Sequence, residues 1–315
     1  MRRCEFKLVS RGGLEWIEST SLARLPWLVH AFSTRVGGAS RAPAEGLNLG
    51  FVETDRRPTV TRNRKLFLRE MGVTDLTLAE LHQIHSPTIY QVARGTRGKL
   101  DYRLSGSSTS RAFSKVLPQG DALLTDEPGV LLSVRAADCM PVLLADPRRR
   151  AAAAIHAGWR GALAGIVEIT VGEMMRAFGS RPREIVAALG PSIRACCYEV
   201  GDEVVNSFCG RYANGENFFR AAPHDKPEAE IARRYPLLFL TKQPPGHGPD
   251  TVAPKHLDLV AVARDHLRRA GLSAANIHTA EFCTACRTDL FFSHRKEGSG
   301  TGRTMAVLGI KWPGN

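Results

Sequence analysis

The sequence predicts a mixed α/β fold: a single-domain layered sandwich of mixed sheets flanked by helices. Eight short apolar runs bounded by turn residues read as strands, and three segments with apolar residues at helical spacing read as helices. The stretch from 130 to 156 offers strand after strand with no crossover helix between them, which argues against a regular doubly wound sheet.

In chain order, Val29–Ser33 is the first apolar, turn-bounded run. Val60, Arg64, Phe67, Leu68 and Met71 then recur at helical spacing after Pro58, a residue suited to a first helical turn. Ile89–Ala93 and Val130–Val134 read as strands, followed by Val142–Ala145 and Ala152–Ile155, which can close into a hairpin through Asp146-Pro147. Leu163, Ile166, Val167, Thr170, Met174 and Ala177 trace a helix with Gly179 as its stop. Ile185–Leu189 is a strand, and Leu257, Val260, Ala261 and Leu267 form a helical stripe before Gly271. Ile277–Glu281 and Met305–Ile310 complete the strands. Serine-rich Leu104 to Ser114, and Ala222 to Pro254 with its apolar knot Tyr235 to Leu240, read as loop excursions on one domain spanning 1–315, because patterned segments resume directly after each.

With 315 residues, 43% of them hydrophobic, the chain can bury a core without disulfide staples. Seven cysteines, an odd number, fit reduced thiols and a cytoplasmic protein. The first twenty residues lack a secretory pattern and no apolar run approaches a membrane span. A net charge of +12 invites a nucleic-acid partner, but only 9 of 43 basic residues are lysine and the arginines are scattered. The densest run, Arg148-Arg149-Arg150, reads as a solvated turn. Aromatics, at 7%, show no interleaving with basic residues, so a base-stacking platform is not expected. Small anionic substrates are the better use for these arginines, and a monomer is the default.

Three segments each set one metal-ligand residue among small residues: His85 in Gln83-Ile84-His85-Ser86, Cys139 in Ala137-Asp138-Cys139-Met140-Pro141, and His156 in Ile155-His156-Ala157-Gly158-Trp159-Arg160-Gly161. Two imidazoles and one thiolate suit tetrahedral zinc and leave a fourth position open, a catalytic arrangement. The proposed hairpin would bring Cys139 and His156 out at the same end. Taken singly, each residue reads as a small hydrophobe or a hydrogen-bonded histidine. Asp138 beside Cys139, and a helix start at Gly158 to Gly161 whose N–H groups favour an anion, strengthen the metal reading. His-Glu-x-x-His, the His-x-Glu deaminase pattern and the glycine-rich nucleotide loops are absent. Cys283-Thr284-Ala285-Cys286 lacks the second pair of a knuckle and reads as packing, with a redox role as the lesser option.

Phe32-Ser33-Thr34-Arg35-Val36-Gly37-Gly38, Leu47-Asn48-Leu49-Gly50, the three ligand segments, Gly190-Pro191-Ser192-Ile193 with Cys197-Tyr198-Glu199-Val200-Gly201, and Phe291-Phe292-Ser293-His294-Arg295 with Thr301-Gly302-Arg303 resemble the laccase-domain family over about residues 29 to 310. Its members have been called polyphenol oxidases, purine nucleoside phosphorylases and peptidoglycan editing factors. The resemblance implies a sandwich shared with a toxin-type cysteine hydrolase and one zinc on His85, Cys139 and His156. It also implies phosphorolysis of adenosine, inosine, guanosine and methylthioadenosine, together with adenosine deamination. Cys286 and the two excursions depart from the family pattern and bear on substrate preference. Copper oxidation is not expected, because four coppers need paired histidine ligands and none of the ten histidines forms a His-x-His or His-Cys-His motif.

For deamination, zinc would acidify water for attack on C6 of adenine while Asp138 or Glu199 protonates the departing ammonia. For phosphorolysis, Arg35, Asn48 and Arg160 are nominated to hold phosphate, with Arg295 and Arg303 as weaker nominees. Arg35 and Asn48 read almost as readily as turn residues. The same residues also support a metal-free cysteine hydrolase with Cys139 as nucleophile and His156 as base, the form peptidoglycan editing would take. A zinc-stabilised, non-enzymatic binding protein is the weakest alternative.

Overall fold

A computed structural model describes residues 5–95, 98–107, 110–112, 116–221 and 255–314. Two compact units emerge, one made of Met1–Arg194 with Leu259–Asn315 and the other of Ala195–Asp258. The chain is mixed α/β, as the sequence predicts.

In the larger unit, β1 (Phe6–Arg11) and β2 (Leu14–Ser19) form a hairpin at Gly12-Gly13, whose φ of 58° and 78° supply the left-handed turn. β3 (Leu28–Ser33) follows, then α1 (Arg57–Met71), which has a proline in its first turn and Gly72 at φ 72° closing it by an N–H to Leu68 O. β4 (Thr77–Ala79), β5 (Ile89–Arg94), β6 (Leu100–Leu104), β7 (Ser110–Ala112), β8 (Ala122–Thr125), β9 (Val130–Ala136), β10 (Met140–Asp146) and β11 (Ala151–Ala157) come next. α2 (Trp159–Leu163) and α3 (Ile166–Phe178) are separated by Gly165 at φ 83°, so Leu163 belongs to a short helix of its own rather than to the main stripe. β12 (Val186–Leu189) precedes the smaller unit.

That smaller unit holds β13 (Glu199–Val200), α4 (Asp202–Arg211), β14 (Phe219–Ala221) and β15 (Lys255–Leu257), with β15 central in an antiparallel three-stranded sheet. Phe208, Tyr212 and Phe218 gather edge to face into its aromatic centre. The expected Ala222 to Pro254 excursion lies outside the described residues. The larger unit resumes with α5 (Leu259–Arg269), β16 (Ile277–Thr279), α6 (His294–Glu297) and β17 (Thr304–Ile310).

Its strands form a six-stranded sheet, β1-β2-β3-β17-β9-β4, and an eight-stranded sheet, β16-β12-β10-β11-β8-β5-β6-β7. The period-2 alternation of side chains divides the first sheet cleanly. Leu132, Val134, Ala306 and Leu308 face Leu143, Ala145, Ala152 and Ala154 of the second sheet in the main core. Their neighbours Leu131, Met305 and Val307 face Phe67 of α1. α3 lies on the other face of the second sheet beside α5, giving four layers: helix, sheet, sheet, helices. Along β11 the run Ala151 to Ala154 is wholly buried, and these small side chains allow close approach on both faces.

The Leu104 to Ser114 excursion is not purely loop, because β7 pairs antiparallel with β6. β1 and β2 escaped the sequence reading because charged residues interrupt both and leave no continuous apolar run. β8 escaped because its three apolar residues are too few to stand out. No helix among the described residues is long and apolar enough to cross a membrane.

Candidate metal centre

β10 and β11 form the expected hairpin, with Met140 opposite Ala157, Pro141 opposite His156 and Asp146 opposite Ala151. Cys139 immediately precedes β10 and His156 lies near the end of β11, so the register alone places both at one end. His85 reaches the same point from the loop between β4 and β5. One donor atom from each residue lies within 4.8 Å of the others. Cys139 Sγ is 3.7 Å from His85 Nε2, and the two imidazole centroids are 4.9 Å apart.

Asp121, fully buried at the start of β8, organises this convergence. Its carboxylate accepts from the backbone N–H groups of Ile84, His85 and Ser86 at 3.3, 3.0 and 2.7 Å, and from Ser86 Oγ at 2.9 Å. The same carboxylate accepts from His156 Nδ1 at 2.9 Å, which leaves Nε2 of that ring for Cys139 or a metal. A single carboxylate therefore fixes the His85 loop and the His156 tautomer together. Sequence reading missed Asp121, and its one signal is a charged residue directly before an apolar strand, a position that requires partners once buried.

The backbone here is strained. Among the described residues only three non-glycine positions have positive φ, and two flank the site: His85 at 60° and Asp138 at 90°. Such conformations cost about 1–3 kcal/mol each and persist where surrounding bonds over-determine them. Asp138 is held by Thr284 Oγ1 on one carboxylate oxygen at 2.6 Å and Arg295 N–H on the other at 2.7 Å, while its carbonyl accepts from Ile193 N–H. Gly158 leaves no room for a side chain, since a Cβ there would lie 2.8 Å from both Cys139 Sγ and His85 Cδ2.

Burial pushes the Cys139 thiol up, but His156 and His85 outweigh it and bring the pKa down to about 6. Burial disfavours His156 protonation, yet Cys139 and Asp121 raise it to about 9. Burial alone would raise Asp121, but its hydrogen bonds to His156 and Ser86 hold it below the usual carboxylate range. The metal-free centre thus stores a thiolate against an imidazolium.

The donor set fits a metal. With Zn–S of about 2.3 Å and Zn–N of about 2.0 Å, a tetrahedral S–N edge is about 3.5 Å, close to the Cys139–His85 separation. Three ligands leave one position for a reactant.

The other nominated residues have varied surroundings. Arg35 gives Nη1 to Thr288 O and Glu297 Oε1, and Nε and Nη2 to Glu45 O, with its guanidinium 4.5 Å over Phe292. Asn48, fully buried, donates to Asp55 and accepts from Gly50 and Arg303 N–H groups. Both tie loops together, the turn-residue role that competed with phosphate binding in the sequence. Arg160 is exposed at the start of α2, 4.4 Å over Trp159. Arg295 is exposed on α6, and Arg303 lies in the field of Cys139 and Asp138. Glu199 belongs to the smaller unit, on β13 opposite His256. Cys283 is buried and accepts from Arg194 N–H, whereas Cys286 is exposed, so only the first fits a packing role.

A family model described as multi-copper polyphenol oxidoreductase laccase matches residues 29–311. The chain belongs to this family. Within the laccase family, it is 32% identical over 285 residues to purine nucleoside phosphorylase YlmD of Geobacillus stearothermophilus, covering 89% of each chain. It is also 32% identical over 293 residues to adenosine deaminase RL5 of an unknown prokaryotic organism, covering 93% of this chain and 98% of that one. The crystal structure of YlmD from Geobacillus stearothermophilus matches with a TM-score of 0.75 at 29% identity, covering 98% of this laccase-family chain and 99% of the other.

Proposed function

We propose that this chain is a zinc-dependent purine nucleoside enzyme of the cytoplasm, which phosphorolyses adenosine, inosine, guanosine and methylthioadenosine and deaminates adenosine. The observation that carries the reading is the approach of His85, Cys139 and His156 donor atoms to within 4.8 Å of one another. Relatives named purine nucleoside phosphorylase and adenosine deaminase, similar along nearly their whole length, support the substrate class. Zinc is favoured over a multicopper centre because the chain lacks the paired histidine motifs that four coppers need.

When bound, zinc would supply Lewis acidity to whichever reactant takes the open position. The chain's residues do the rest. Asp121 holds His156 with Nε2 presented to the centre and keeps the His85 loop in its strained turn. Asp138 steadies the Cys139 turn through Thr284 and Arg295, and it is the nominee in this unit for protonating the leaving group. Arg160, Arg295 and Arg303 remain the nominees to receive an anionic reactant.

Adenosine incubated with and without phosphate, and followed for adenine, inosine and ribose 1-phosphate, tests this directly. We expect adenine with ribose 1-phosphate only when phosphate is present, and inosine in either case. Cys139→Ala should lose both metal and turnover; retained zinc and full activity would refute the assignment.

One observation favours a second reading. Asp121, His156 and Cys139 lie in the order of an orienting carboxylate, base and thiolate, an arrangement suited to acyl chemistry such as peptidoglycan editing. A metal-free purified protein that acylates Cys139 and ignores nucleosides would establish that reading instead.

A further inference from the structure

Beside the metal centre the larger unit gathers more positive charge than it neutralises. Arg64 on α1 is 8% exposed; its Nε donates to Leu49 O at 2.8 Å and its Nη1 pairs with Glu80 Oε1 at 2.9 Å. The Nη2 of the same guanidinium is buried and has no hydrogen-bond partner, and a buried donor left unsatisfied is costly unless something fills the gap. Arg135, near the end of β9 and four residues before Cys139, shares Glu80 Oε1 at 3.5 Å and donates Nη2 to Leu81 O. It also exchanges bonds with Gln83, two residues before His85: Arg135 N–H donates to Gln83 Oε1, and Gln83 Nε2 donates to Arg135 O.

Arg303 completes the group. Its Nη1 donates to Thr301 O and Gly302 O, and its stem lies against Gly50, where a Cβ would come within 2.5 Å of Cγ. No protein acceptor takes its Nε or Nη2 among the described residues. The Leu49-Gly50 loop links it to Arg64, since Leu49 N–H donates to Arg303 O while Leu49 O accepts from Arg64. Burial holds the Arg135 pKa down against the pull of Glu80, and the fields of Arg64 and Arg303 depress it further. Arg64 and Arg135 thus share one carboxylate, with Arg303 close enough for its field to reach Arg135 while it faces Cys139 and Asp138. Two buried guanidiniums on one carboxylate are costly unless a further counter-charge is supplied.

We infer that Arg64, Arg135 and Arg303 form an anion subsite beside Cys139 and His85, and that its occupant is inorganic phosphate. A tetrahedral dianion accepts from several guanidinium forks at once, and it would offset the excess charge. The chemical identity of the occupant rests on the phosphorylase reading above; the excess charge and the unpartnered Nη2 do not. Neither Arg64 nor Arg135 was a nominee from the sequence, where one looks like a helical-stripe residue and the other like the polar end of a strand.

The test is steady-state kinetics with adenosine and inorganic phosphate on the zinc-loaded full chain, together with phosphate binding followed by 31P NMR. Arg135→Gln should raise the phosphate KM at least tenfold while the adenosine KM stays within twofold. Glu80→Gln, which increases the local positive excess, should lower the phosphate KM. A merely structural role would move both variants in the same direction and both substrates together, and that result overturns the subsite, as does an unchanged phosphate KM in both. Arg64→Met, which removes the unpartnered group, carries the same expectation should Arg135→Gln fail to fold. If the wild type binds phosphate, loses it in Arg135→Gln or Arg64→Met and never phosphorolyses a nucleoside, the subsite stands and the phosphorylase reading falls. If the wild type binds no phosphate, the subsite falls.

Discussion

Asp121 accepts five hydrogen bonds across two segments that carry metal-ligand residues, so its removal should act on both at once. Asp121→Asn keeps the volume but loses the charge, and we expect metal affinity to fall about 10–100-fold, read by competition with a chelator. An unchanged affinity would show that His85 and His156 need no such support. Titration gives a second prediction at this scale. The stabilising contribution of the depressed Cys139 is complete above its ordinary value of 9.0 and is lost as pH falls toward about 6. That of the raised His156 is complete below 6.5 and is lost as pH rises through about 9. Between these limits the metal-free pair is charged, so alkylation of Cys139 by iodoacetamide should rise with a midpoint near 6, and added zinc should block it. A midpoint near the ordinary thiol value would overturn the pairing.

At the scale of elements, Gly158 is where backbone and chemistry meet. Gly158→Ala should drive apart Cys139 and His85, lowering zinc content while far-UV circular dichroism stays unchanged; full zinc occupancy in that variant would contradict the close approach. His85, Cys139 and His156 were legible because each is a soft or nitrogen ligand set among small residues, and the turn at Asp146-Pro147 made the convergence of two of them readable from register. Asp121 was not legible, because its importance lies in contacts with residues 35 or more positions away. Strands with continuous apolar runs, such as β9 to β11, stood out. β1 and β2 did not, since Lys7, Glu15 and Glu18 interrupt their apolar residues.

For the whole molecule, the mixed α/β class and its flanking helices followed from periodicity, but the order of strands did not. β17 inserts between β3 and β9 after some 270 residues of intervening chain, and no local pattern announces such a pairing. The core between the sheets depends on the alanines of β11. Ala154→Leu would force a branched side chain into a fully buried site facing β17 and should cost about 1–3 kcal/mol in denaturant unfolding. An unchanged midpoint would mean that the layers separate more easily than their contacts suggest.

The hairpin that carries Cys139 and His156 also has a far end. Seven-residue strands hold its Arg148 to Arg150 tip about 20 Å from Cys139 and His156. Because the ladder between them fixes alignment, residues inserted at the tip should be absorbed locally, whereas deleting one residue from either strand would turn every following side chain to the opposite face. An engineer wishing to tether this catalyst to a surface or a dye therefore has a natural attachment point at the tip, out of reach of the chemistry it reports on.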